Sequence, residues 1–264
     1  MDVQGPKAQE SMEDQPFGRS SLFGGPPAYE SRTPWSPWAA LLAALVIIGA
    51  SILGSILVLG SSFVAGSGVS PGAGRQDMNA LATLAIWQAI AVVLTVLASV
   101  LFGGRTRDVL ALRPPGVAHV YLKAVLLMAV LQVVVSAVQY FFFPQDMYAD
   151  LRPIVRLFGD QWVLALLVVG LGAPLSEELL FRGFLLSALS RSRLGFAGAA
   201  VVTTILWTAL HAGYSIAGLL EVSLIGLFFS WLLWRTGSLR VPIFCHALYN
   251  TLIVVVLRHV PLPA

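Results

Sequence analysis

The chain has 264 residues, of which 57% are hydrophobic and only 11% charged, with a net charge of +3. Ordinary soluble domains carry about 25% charged residues, so the composition excludes a water-soluble domain and predicts a polytopic membrane protein whose length is mostly consumed by spans. A single cysteine, Cys245, excludes an internal disulfide and a cysteine-rich metal site. The basic residues, spread over short loops, read as orientation signals and not as a nucleic-acid surface.

Residues 1–36 are polar and rich in Pro, Gly, Ser and acids. They read as a disordered cytoplasmic tail, without the short basic region and apolar core of a secretory signal. Seven apolar segments follow, at 37–64, 80–102, 118–143, 162–189, 196–213, 216–234 and 241–257. A span needs roughly 20 residues, so the expected fold class is all-α, a polytopic transmembrane helix bundle of about seven spans. Residues 37–143 form the N-terminal spans, and the Gly/Ser/Pro-rich 65–79 an external loop. Residues 144–161 are a second loop, in which Tyr148, Leu151, Val155 and Phe158 have the spacing of a short interfacial helix. Residues 162–258 carry the polar groups suited to chemistry. With the N-terminus inside, eleven of the sixteen Lys and Arg residues fall in inner loops and four (Arg75, Arg152, Arg156, Arg258) in outer ones. The positive-inside rule therefore predicts a cytoplasmic N-terminus and an external C-terminus. The Arg-, Ala-, Gly- and Val-rich composition points to a bacterial cell membrane.

Within the fourth segment lies Ser176-Glu177-Glu178-Leu179-Leu180-Phe181-Arg182. A charge near the bilayer centre costs roughly 2.5–3.5 kcal/mol on insertion scales, so paired carboxylates there imply a use or a partner. Glu178 and Arg182, four apart on a helix, face each other and can pair. Glu177 projects about 100° away, free for chemistry. Gly170, Gly172 and Pro174 predict a break in the helix, with Ser176 capping a restarted helix whose positive end lies near Glu177.

Few other polar groups lie in the later segments. His211 stands one turn after Trp207, and His246 and Asn250 share a helix face. Each has a plain alternative: a buried ion pair for Glu178 and Arg182, a core histidine for His211, an interhelical hydrogen bond for His246 and Asn250. Glu221 reads as a supporting partner or as facing outer water. His119 and His259 fall at span ends, and Trp231 and Trp234 fit an interfacial belt. As a set, Glu177, Glu178, His211, His246 and Asn250 suit hydrolysis in two ways. A carboxylate and a histidine can activate water while a second histidine and an asparagine stabilise the oxyanion. Alternatively, Glu177, His211 and His246 can hold zinc or another divalent metal with an open water position. Straight helices place Glu177 near mid-membrane, His246 near the inner face and His211 near the outer end of its segment. Bringing them together requires either different segment boundaries or residues 212–218 and 235–241 dipping into the membrane.

The ordered motifs Glu177-Glu178-x-x-x-Arg182, Trp207-x-x-x-His211 and His246-x-x-x-Asn250 resemble the CPBP family of intramembrane proteases, which includes the type II CAAX prenyl endopeptidases and ABI-type relatives. Arg235-Thr236-Gly237-Ser238-Leu239 is similar to bacterial members too. The resemblance covers about residues 165–256. It implies Glu177 as the general base, His211 holding the water with it, His246 and Asn250 on the oxyanion side, and Glu178 with Arg182 as a supporting ion pair. The implied activity is cleavage of a membrane-associated or lipid-modified, CAAX-like peptide, with the lipid bilayer and a peptide or membrane protein as partners. Trp207 stands where phenylalanine is commoner. A proton-coupled transporter and a non-catalytic membrane scaffold are the rival readings, and the lack of repeated halves speaks against the transporter.

Overall fold

The computed structural model describes residues 22–65 and 73–262. These form nine helices: α1 (Pro37–Ala65), α2 (Ala73–Leu101), α3 (Thr106–Val109), α4 (His119–Phe142), α5 (Leu151–Phe158), α6 (Trp162–Leu189), α7 (Gly195–Ala209), α8 (Ile216–Thr236) and α9 (Arg240–His259). No strand occurs among the described residues. Six helices (α1, α2, α4, α6, α8 and α9) are long and apolar enough to cross a bilayer, so the molecule is an integral membrane helix bundle. The apolar segments coincide with these helices to within a few residues, except that α2 starts at Ala73, seven residues earlier than composition predicts.

The bundle is built around α6. Every residue from Glu178 to Leu189 is buried, and Phe181, Phe184, Leu185 and Leu186 form one continuous core with Trp207, Phe229, Leu232 and Leu233. α1, α2 and α7 pack around this half. A second, smaller core joins Leu81 of α2, Phe158 of α5, Val168 of α6 and Val254 of α9.

α6 corrects the expected break. It runs unbroken through Gly170, Gly172 and Pro174, and instead of restarting it widens into two π-helical stretches, Leu166–Gly172 and Glu178–Leu186. In the first, Ala173 N–H bonds Val168 O, five residues back. Ser176 caps nothing: its hydroxyl donates back to Gly172 O at 2.9 Å and Ala173 O at 3.0 Å. No positive helix end therefore lies beside Glu177. Single π turns embedded in α-helices are rare and frequent at functional sites.

α7 has only 15 residues, about 22 Å of rise against a hydrocarbon core of about 30 Å. The fifth apolar segment thus ends at Ala209, and His211 sits in the turn that follows. A helix this short stops within the depth of its neighbours, which is how His211 comes level with residues of α6 and α9. α8 starts cleanly. Ser215 is its N-cap, accepting from Gly218 N–H at 3.0 Å, and Asp150 accepts from both the Ser215 amide and hydroxyl at 2.7 Å. Gly237 ends α8 with φ +64, where a side chain would also meet Ala28 O at 2.7 Å.

That contact belongs to a stretch that composition reads as disordered. Residues 22–36 carry no helix but are packed down, while residues 1–21 lie outside the described residues. Arg235 donates to the carbonyls of Leu22, Gly24 and Gly25. Tyr29 N–H bonds Trp234 O, Ser31 donates to Ser187 O and Arg191 to Thr33 O. Trp35 stacks on Phe184 at 4.8 Å. A few aromatic anchors and an arginine fork order a segment whose average composition is polar. Of the expected 65–79 loop, residues 66–72 also lie outside the described residues, and 73–79 belong to α2.

Candidate active site

The buried half of the site begins with Glu178 and Arg182, both 0% exposed. One carboxylate oxygen, Oε1, accepts from Arg182 Nη1 at 3.0 Å and from His246 Nδ1 at 3.0 Å. The carboxylate thus ties α6 to α9 and fixes the histidine: Nδ1 carries its proton toward Glu178, and Nε2 is turned away. Arg182 also donates to Gly226 O at 3.4 Å and lies over the Trp207 ring, 4.3 Å from its centroid. Such close approach needs Gly226. A Cβ there would stand 2.8 Å from Thr204, 3.0 Å from Trp207 and 3.1 Å from Arg182.

The second half is more open, and Trp207 connects the two. Its indole N–H donates to Glu177 Oε2 at 2.6 Å. One edge meets His211 at 5.2 Å between centroids and another meets His246 at 5.7 Å. His211 Nδ1 is 3.1 Å from Trp207 O, which makes Nδ1 the N–H, so that the neutral ring offers Nε2 as its acceptor. Glu177 and His211 are half-buried, whereas Glu178, Arg182 and Trp207 are buried. The five expected ionisable residues thus gather around one indole. Sequence reasoning noted Trp207 only as an aromatic residue; its role as hydrogen-bond donor depends on α7 lying beside α6. Gly226 gave no signal in the sequence.

Asn250 joins the set differently from the expectation. Its side-chain amide donates to Val169 O of α6 at 3.0 Å, so its observed partner is the helix backbone. Glu221 is half-buried outside the cluster, with both carboxylate oxygens engaged by protein donors. It accepts from Gln132 and Tyr249 on Oε1 and from Gln139 on Oε2, each at 2.8 Å, which knots α4, α8 and α9 together. Cys245 is buried on the face of α9 that, with Val125, Met128, Leu248 and Leu252, lines an apolar cavity of about 320 Å³ between α4 and α9. None of Glu177, Glu178, His211 or His246 lines that cavity.

The metal alternative finds no preformed ligand group among the described residues. Among the described residues no group of three or more His, Cys, Asp or Glu side chains is placed to hold a metal ion. The expected ligands Glu177, His211 and His246 are not gathered into such a group, although their hydrogen bonds leave one Glu177 oxygen and the Nε2 of each histidine uncommitted.

Comparison with known proteins accords with this geometry. Residues 159–252 match the family model described as type II CAAX prenyl endopeptidase Rce1-like. An uncharacterized 24.3 kDa protein of Escherichia coli is 36% identical over 106 residues, which cover 38% of this chain and 48% of that protein. The chain therefore spans about half the length of the curated relative it matches. No solved structure matches it. The matched segment contains α6 to α8 and α9 through Leu252, and so every residue placed around Trp207.

Proposed function

We propose that this chain is an intramembrane endopeptidase that hydrolyses a peptide bond in a membrane-associated or lipid-modified, CAAX-like substrate. The observation that carries the reading is the gathering of Glu177, His211 and His246 around Trp207, with the family match over the same residues as independent support. Glu177 Oε1 and His211 Nε2 are both acceptors, so they suit a water that donates one hydrogen to each and directs its lone pair at a carbonyl carbon. On attack Glu177 takes the water proton, the new C–O bond forms and the carbonyl oxygen becomes an oxyanion. His246, held through Nδ1–H by Glu178, presents Nε2 to that oxygen and, with a proton on each nitrogen, donates to it. Collapse of the intermediate breaks the C–N bond, and Glu177 returns its proton to the leaving amine. Arg182 neutralises Glu178, without which a buried carboxylate would not be tolerated. The positive loops orient the molecule with its N-terminus in the cytoplasm.

The test compares peptide termini in membranes containing wild type with those containing Glu177→Ala. Termini that arise only with wild type support the peptidase and identify its substrate class. Identical termini in a well-sampled comparison would overturn the reading, and flux in proteoliposomes under a pH gradient would then examine the same groups as a proton relay.

A further inference from the structure

We infer that Asn250 is a positioning residue: its side-chain amide supplies α6 with the hydrogen bond that Pro174 cannot make. The register of the first wide turn fixes the missing partner. Ala173 N–H bonds Val168 O, five residues back. In that register residue 174 would bond Val169 O, and residue 174 is proline, which has no N–H. The carbonyl is filled from another helix, because Asn250 Nδ2 donates to Val169 O at 3.0 Å. α9 comes close enough because α6 has a glycine at the contact. A Cβ on Gly170 would meet Thr251 Oγ1 at 2.8 Å.

The consequence falls on the reacting groups. Pro174 stands three residues before Glu177 and four before Glu178. If α6 slipped by one residue in this turn, Glu177 would rotate by roughly 100°, away from the Trp207 indole and from His211. An intramembrane carbonyl left without a donor would drive such a slip, since backbone groups inside a membrane must find partners within the protein. Asn250 thus acts through the helix that carries Glu177 and Glu178. Its conjunction with Pro174 also explains how proline sits within α6 without breaking it.

The experiment is a cycle on the full chain, purified in detergent and also expressed in membranes, with Pro174→Ala, Asn250→Ala and the double variant. Alanine at 174 restores a backbone N–H in reach of Val169 O, so the side-chain amide becomes redundant. The melting midpoint should fall by roughly 2–4 °C in Asn250→Ala, and much less when the same change is made in Pro174→Ala. The activity arm rests on the peptidase reading. Asn250→Ala should form the wild-type-dependent termini roughly tenfold more slowly, and the double variant should recover to within about threefold of Pro174→Ala. If Asn250→Ala fails to accumulate, accumulation of the double variant is the same rescue, and failure of both overturns the inference. Additive loss of melting temperature overturns it as well. Rescue of melting without rescue of cleavage overturns it in favour of direct contact between Asn250 and the substrate. If wild type produces no termini at all, the peptidase reading fails, while the melting cycle still decides the hydrogen-bond assignment.

Discussion

Helices α4 and α6 are both long and apolar, with mean hydropathies of 2.1 and 1.8 over their most apolar windows, yet 11% of the first window is buried and 44% of the second. α4 turns Leu122, Leu126, Val130, Val133, Val134 and Val138 outward to where lipid lies, while α6 is enclosed from Glu178 to Leu189. Hydropathy therefore identifies a span without locating it in the bundle. What separates the two is the handful of groups that lipid will not accept. α6 carries Glu177, Glu178 and Arg182 and must be surrounded by α7, α8 and α9 to satisfy them. α4 carries Gln132 and Gln139, which form one polar stripe against Glu221 and leave the remaining faces free for lipid.

The sharpest way to break this contrast is chemical. Glu177→Gln should lower the cleavage rate by roughly 10²–10⁴-fold with an unchanged melting temperature, because the half-buried Glu177 carries none of the core; an active variant would remove Glu177 as the base. Glu178→Ala should be the most destabilising substitution. It strips the buried Arg182 and His246 of their shared acceptor, at a cost of about 3–5 kcal/mol, read as a loss of melting temperature together with activity. Gly226→Ala tests packing alone. The added methyl meets Thr204, Trp207 and Arg182 within 3.1 Å, and forcing it in costs about 1–3 kcal/mol. On α4, Val133→Ala should change stability by less than about 0.5 kcal/mol. A loss there as large as that of Gly226→Ala would mean that α4 faces protein and not lipid.

The smallest expected effect lies outside the spans. Arg113 donates to Asp108 at 2.6 Å, and this hydrogen bond holds the Asp108 carboxyl below its ordinary range. Asp108 is depressed in the folded state, so its contribution is present above the unfolded carboxylate range and is lost as pH falls through the lowered value. Arg113→Ala should flatten that acid dependence slightly, as read from melting temperature against pH.

Much of this was visible in the order of residues. The apolar segments give the helices because a bilayer-spanning chain must close its backbone hydrogen bonds within each segment, a rule that needs no partner. The Glu177-Glu178-Arg182, His211 and His246 spacings stand out because ionisable groups are so rare among them. The i, i+4 spacing alone forecast the ion pair of Glu178 and Arg182, whose geometry is local to one helix. The sequence failed wherever a local signal was answered from elsewhere in the chain. Gly170, Gly172 and Pro174 read as a break, but Asn250 and Ser176 supply the hydrogen bonds and α6 continues. Residues 22–36 read as tail, but Arg235 and Phe184 hold them.

The sequence by itself determined that the chain is a membrane helix bundle and which side chains could do chemistry, because span length and the cost of intramembrane charge act on each segment separately. Only the tertiary structure decided what those side chains touch. Trp207 became the donor to Glu177, Glu178 the anchor of His246, Asn250 a partner of Val169 and Glu221 a knot of α4, α8 and α9. Each of these contacts joins different helices, and a contact between helices depends on how far each one rises and which face it turns inward. Those quantities are set by packing, such as the shortness of α7 and the gap left at Gly226, and no single stretch of residues encodes them.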